Sequence, residues 1–148
     1  MSAALPSVVV GVDGSPEAEA ALRFAVAEAR LRGLPLRIVC AWDPPGSAYV
    51  GEAFAVTTDA FVAAESHADD VLRAALELVG REGAGVEVEA VAIEGAAASV
   101  LLEQAASAEL LVVGSRGRGA AKRLLLGSVS HDIAHHAPCP LVIVPPAR

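Results

Sequence analysis

The chain has 148 residues, of which 54% are hydrophobic and 20% charged, and its formal net charge is -7. That length suits one domain with a full hydrophobic core, and the acidic balance argues against a general nucleic-acid binder, whose affinity rests on neutralising phosphates. Apolar runs fall far short of the roughly 20 residues of a bilayer span, and residues 1–6 lack the basic cluster and apolar stretch of a secretory signal, so a cytoplasmic protein without a membrane partner is expected.

Residues 7–12 (Ser-Val-Val-Val-Gly-Val) read as the first strand, followed by the turn residues Asp13 and Gly14. A helix then starts with Ser15 as N-cap, Pro16 at the first helical position, and Glu17 and Glu19 near the positive end of the dipole. Its apolar stripe is Ala18, Ala21, Leu22, Ala25, Val26 and Ala29, and Gly33 ends it. Residues 36–41 form the second strand. The stretch 43–58, with Pro44, Pro45, Gly46 and Gly51, has no regular periodicity and is expected to be a loop or lid.

A second helix follows from about residue 59 to 80, with Ala64, Ala68, Val71, Leu72, Ala75 and Val79 inward. In residues 86–93, Val86, Val88 and Ala90 alternate with Glu87 and Glu89, which marks a strand with one wet face at a sheet edge. The third helix, residues 96–106, carries Val100, Leu101 and Ala105 inward, and the fourth strand is 110–113. A fourth helix starts near Ser128 and stops before Pro138, because a residue preceding proline is driven from helical dihedrals. The fifth strand is Leu141-Val142-Ile143-Val144.

This strict alternation implies a single α/β domain over residues 1–148, Rossmann-like, with an open five-stranded parallel sheet of order 3-2-1-4-5, right-handed crossovers and helices on both faces. Ligands of such sheets bind beyond the carboxyl ends of the strands. Attention therefore falls on Val12-Asp13-Gly14-Ser15 with Gly11 before it, on Cys40-Ala41-Trp42, and on Gly114-Ser115-Arg116-Gly117 with Val113 before it. Cys40 and Cys139, the two cysteines, read as thiols in a reducing compartment.

After the fourth strand, Gly114-Ser-Arg-Gly117 is followed by nine residues and then by Gly127-Ser128-Val129-Ser130, which open the fourth helix. Glycines let backbone N–H groups approach an anion and permit positive φ, which is expected at Gly117, and the helix N-terminus adds its dipole and free donors. Ser115, Ser128 and Ser130 offer hydroxyl donors. Arg116, Arg118, Lys122 and Arg123 place four of the eleven cations in a segment without acidic residues between Glu109 and Asp132. Two other phosphate loops fail here. A P-loop needs Lys and Ser/Thr where Ala120 and Ala121 stand, and a Rossmann glycine pattern from Gly117 and Gly119 meets Lys122.

The pattern G-x2-G-x9-G-S resembles the ATP-binding signature of the universal stress protein family. Residues 8–15 and 114–144, including His-Ala-Pro-Cys-Pro at 136–140, carry the resemblance, whereas 43–60 follow no family pattern, Ala97 stands where proline is frequent and Glu109 where aspartate is common. The resemblance implies that Asp13 binds the ribose hydroxyls or assists a metal and that the Ala41 backbone meets the adenine edge. It implies further that Val113, Gly114, Arg116 and Gly117 line the nucleotide, that Gly127, Ser128, Val129 and Ser130 hold the phosphates, and that Mg²⁺ accompanies ATP. It also implies a homodimer through the fifth strand, an apolar edge bracketed by Pro140 and Pro145.

The expected function is thus an ATP-binding regulatory or stress-response protein with ATP, ADP or AMP as resident ligand and an unknown regulatory partner. A slow ATPase or autophosphorylating phosphotransferase, with Ser128 or Ser130 as acceptor, and a nucleotide-free oligomeric scaffold are the alternatives. A phosphorylated receiver domain is excluded because Asp13 lacks an acidic neighbour, no Asp occurs between Asp70 and Asp132, and Pro145-Pro146 follow the last strand. His131 and His135 have a metal-compatible spacing without a completing ligand, and a Ser128, His131 and Asp13 triad lacks the nucleophile elbow. Trp42 is expected to cover the sheet end.

Overall fold

Strand and helix alternate as the hydrophobic pattern requires. The order is β1 (Val8–Gly11), α1 (Pro16–Arg32), β2 (Leu36–Trp42), α2 (Thr58–Glu82), β3 (Val88–Glu94), α3 (Ala97–Ala105), β4 (Leu110–Gly114), α4 (Ser128–His136) and β5 (Leu141–Val144). The structure, a computed structural model, describes residues 6–43, 58–117 and 126–146. Apart from Asp43 and Thr58, the expected loop or lid at 43–58 lies outside the described residues, as do Arg118, Lys122 and Arg123.

All strands are parallel and the sheet order is β3-β2-β1-β4-β5, as expected from the alternation. Val8, Val9 and Val10 of β1 are fully buried because the central strand is covered on both faces. On one face Val8, Val10, Ile38, Cys40, Leu110 and Val112 pack with the apolar stripes of α1 and α2. On the other, Val9, Val39, Leu111 and Val113 pack with Val100, Leu101 and Ala105 of α3 and Ile133 of α4. Each such Val, Leu or Ile side chain withdrawn from water contributes about 1.5–3 kcal/mol before the entropy of ordering the chain is set against it.

The α1 stripe buries all six residues expected of it. Ser15 Oγ accepts from the Ala18 N–H at 3.1 Å, and Gly33 closes the helix at φ 66°, a conformation that favours glycine. α2 departs from expectation: Leu78 joins the core and Ala64 is only half-buried, since the helix continues to Glu82 and its stripe meets the sheet mainly through its later turns. β3 is an edge, with Glu87, Glu89 and Glu94 exposed. β5 is the opposite edge, and its four residues are half-buried.

Candidate functional site

At the carboxyl ends of β1, β2 and β4 the chain encloses a cavity of about 350 Å³. β1 and its turn contribute Gly11, Val12 and Asp13, β2 contributes Ala41, and β4 contributes Val113 and Gly114. Arg116 and Gly117 line it from one arm of the glycine loop, and Gly127, Ser128, Val129 and Ser130 line it from the other. The fold thus brings together twelve of the thirteen residues expected at the site; Ser115 is the one absent from the lining. Ser15, Ala18, Val39, Ala97 and Leu101 line it as well. Ser15 falls in the first strand-end segment singled out in the sequence, whereas Ala18 and Leu101 were legible only on inward helix stripes, and Val39 and Ala97 were not expected at the site.

Ser115 joins the two arms. Its buried backbone N–H donates to Val144 O at 2.8 Å, and its carbonyl accepts from Gly127 N–H at 2.7 Å and from Ser130 Oγ at 2.8 Å. The expectation that Ser115 and Ser130 hydroxyls face a phosphate is corrected accordingly. Ser115 is buried outside the lining, and the Ser130 hydroxyl is engaged by the carbonyls of Ser115 and Gly127, the latter at 3.1 Å. What α4 offers the cavity is its first turn. Gly127, the N-cap, makes no side-chain capping bond, and the opening N–H groups of a helix have no intrahelical acceptor. α3 starts in the same way at Ala96, beside Ala97 of the lining.

Clearance dictates the glycines. A Cβ at Gly114 would lie 2.9 Å from the carbonyl carbon of Glu17, so α1 packs against β4 only because the side chain is missing. A Cβ at Gly117 would lie 2.6 Å from Asp13 Oδ2. Positive φ was expected at Gly117, but among the described glycines it occurs at Gly14, Gly33, Gly85 and Gly95. Gly117 is therefore needed for close approach rather than for a left-handed backbone. Asp13 is held in place from its other oxygen, with Oδ1 accepting from Ser15 N–H at 2.9 Å.

The electrostatics also differ from the sequence reading. Although the loop segment itself has no acidic residue, α1 brings Glu17 Oε1 to 3.9 Å from Arg116 Nη2, so the cation is not uncompensated. Below Asp13, the buried Cys40 thiol is pushed up to about 11, mainly by burial and then by the charges of Asp13 and Asp69. Trp42 makes an edge-on contact with Phe61 of α2 at 5.0 Å and is not part of the lining, in keeping with a covering role. His131 packs on His135 with ring centroids 4.7 Å apart and is also absent from the lining, so Ser128, His131 and Asp13 do not form one constellation. Among the described residues there is no group of three or more His, Cys, Asp or Glu placed to hold a metal, and no helix long and apolar enough to cross a membrane.

Comparison with known proteins extends this geometry. The model of the universal stress protein family matches residues 6–145. A universal stress protein of Mycobacterium tuberculosis, Rv2005c, is 36% identical over 136 residues, which cover 92% of this chain and 44% of that protein. The chain thus spans about half the length of several mycobacterial relatives that it matches. Among solved structures, the universal stress protein UspA of Lactobacillus plantarum superposes with a TM-score of 0.81 at 26% identity, covering 97% of this chain and 99% of that one. A universal stress protein in complex with cAMP gives 0.71 at 30% identity over 96% and 98%. One from Archaeoglobus fulgidus in complex with dAMP gives 0.69 at 27% over 94% and 97%. This chain belongs to the universal stress protein family.

Proposed function

We propose that the cavity binds ATP, or its ADP or AMP forms, and that the chain acts in the cytoplasm as a regulatory stress-response protein whose ligand occupancy changes a surface presented to a partner protein. The observation that carries this reading is the convergence of Asp13, Ala41 and both arms of the glycine loop on one cavity. The cAMP and dAMP held by two structural neighbours support an adenine nucleotide as the ligand class.

In this reading Gly11, Val12 and Asp13 lie on the ribose side, with Asp13 accepting from the ribose hydroxyls, and the Ala41 backbone meets the adenine edge. The first turn of α4, at Ser128, Val129 and Ser130, donates backbone N–H groups to phosphate, Gly114 lines the nucleotide where α1 packs on β4, and Gly117 keeps the path clear beside Asp13. Arg116 supplies the counter-charge. Mg²⁺ fits the site through a hard carboxylate donor, and Asp13 is the acidic residue among those that line the cavity. Bound with the triphosphate, the ion would offset phosphate charge. Mass spectrometry of small molecules released from natively purified protein, with calorimetry of AMP, ADP and ATP, tests the reading. An adenine nucleotide is expected. Absence of any released nucleotide, together with no heat from all three, leaves the nucleotide-free scaffold in its place.

Slow phosphotransfer is a second reading, favoured by Ser128, an exposed hydroxyl on the cavity wall at the start of α4. Labelled phosphate from ATP would then appear on wild type and not on Ser128→Ala. We further propose a homodimer through β5, whose half-buried apolar residues form one edge of the sheet. Because a two-fold interface repeats each residue, Ile143→Lys would bring two like charges together and yield monomers in light scattering. Equal sizes for wild type and variant would rule out this edge.

A further inference from the structure

Glu17 is the second residue of α1, and its backbone is pressed onto β4, so that a Cβ at Gly114 would stand 2.9–3.0 Å from Glu17 carbonyl and Cβ atoms. Its carboxylate is 3.9 Å from the Arg116 guanidinium, with the two side chains only 18% and 20% exposed. Arg116 lines the cavity and Glu17 stands behind it. From this juxtaposition we propose that Glu17 is a specificity-determining residue: it pairs with Arg116 and opposes each added phosphate charge. The proposal rests on the nucleotide reading of the cavity.

A carboxylate and a phosphate are alternative partners for one guanidinium. At 3.9 Å the present contact lies beyond hydrogen-bond range, so it is an ion pair of charge with charge and not a bidentate fork. Glu17 is anchored at the site through its backbone. Its backbone belongs to a helix that Ser15 caps, that Asp13 anchors through the Ser15 N–H, and that Gly114 receives without clearance to spare. Its charge therefore remains near the phosphates, in a half-buried setting where like charges repel more strongly than in bulk water. The repulsion is absent for a nucleoside, modest for a monophosphate and greatest for a triphosphate. Each further phosphate gains contacts at α4 and loses part of that gain to Glu17, which makes the site charge-graded.

Glu17→Gln keeps the shape and removes the charge. Calorimetry with adenosine, AMP, ATP and inorganic pyrophosphate, in EDTA at fixed low ionic strength, measures the grading. Adenosine affinity is expected to stay within about twofold, AMP to tighten a few-fold, and ATP and pyrophosphate to tighten by on the order of tenfold. Glu19→Gln removes the same charge from the same turn, but Glu19 pairs with Arg23 at 2.8 Å and is absent from the lining, so shifts under about twofold are expected. Equal shifts for adenosine and ATP, no shift at all, or equal effects of the two variants overturn the proposal. If pyrophosphate binds Glu17→Gln more tightly while no nucleoside or nucleotide binds either protein, the nucleotide reading falls and the role of Glu17 stands. If nucleotides bind both proteins equally, the reverse holds. No binding of any of the four ligands to either protein overturns both.

Discussion

Two cavities lie at opposite ends of the same sheet, about 350 Å³ at the carboxyl ends of the strands and about 460 Å³ at the amino ends. The larger one is the poorer site. It is lined by Glu87 and Glu89, and its arginine is engaged: Arg37 donates to Gln104 Oε1 at 2.7 Å and to Glu89 Oε2 at 2.6 Å. Helices that cross between parallel strands run back against them, so their N–H-rich starts collect at the carboxyl ends and their carbonyl-rich ends at the other. Volume alone does not make an anion site. On the proposed reading helix polarity supplies the donors, and the missing side chain at Gly117 leaves room beside Asp13.

If the carboxyl end is built to such clearance, filling it should cost more than a similar change at the amino end. Gly114→Val has the largest expected effect, because it forces α1 away from β4; a loss of about 1–3 kcal/mol is expected in thermal or denaturant unfolding, with ligand binding lost as well. Ser107→Val, an exposed position lining the amino-end groove, should stay within about 0.5 kcal/mol of wild type. Equal stability of the two variants would break the contrast.

Gly117→Val is the next largest. The added side chain meets Asp13 Oδ2 and occupies the ligand's path, so nucleotide affinity should fall by more than about tenfold in a protein that remains folded. Wild-type ATP affinity in that folded variant, measured by calorimetry, would remove the loop from the site. A smaller effect separates the two arginines. Arg116→Ala should weaken ATP by about tenfold and AMP by less, since a charge-assisted bond to phosphate contributes about 1.5–3 kcal/mol. Arg37→Ala should leave both affinities unchanged, and equal losses from the two substitutions would mean that general charge, not position, is being measured.

Local signals reached a long way into this molecule. The α1 and α3 stripes were legible because burial on a helix repeats with its own period, and the ends of the glycine loop because a helix N-terminus after spaced glycines has a local signature. The reasons for individual residues were less accessible. Gly117 was expected to adopt positive φ, yet what it avoids is a carboxylate more than a hundred residues earlier in the chain. Arg116 was read among cations without nearby acids because Glu17 is distant in sequence and arrives only when α1 docks on β4. Ser115, Ala97 and Leu101 were misplaced or missed for the same cause, as each depends on how elements meet rather than on what one element contains.

The smallest effect sharpens the contrast at the carboxyl end itself, where Arg116 carries positive charge while Asp13 and Asp69 act on the buried Cys40 thiol of β2. Cys40 is 3% exposed, and burial, helped by Asp13 and Asp69, raises its thiol from 9.0 to about 11. An unfolded chain ionises this thiol from about pH 9, whereas the folded chain keeps it protonated until about pH 11. Between those values the unfolded state binds fewer protons, so stability must fall as pH rises through the window, and below pH 9 the thiol contributes its full share. Cys40→Ala should be less stable below pH 9 because it leaves a small void, but its unfolding free energy should decline less steeply from pH 9 to 11. Other groups titrate in the same range and affect both proteins alike, so the diagnostic quantity is the difference between the two curves. Denaturant unfolding at half-unit pH steps would give it. Parallel curves would show that neither burial nor the two carboxylates holds the proton on Cys40.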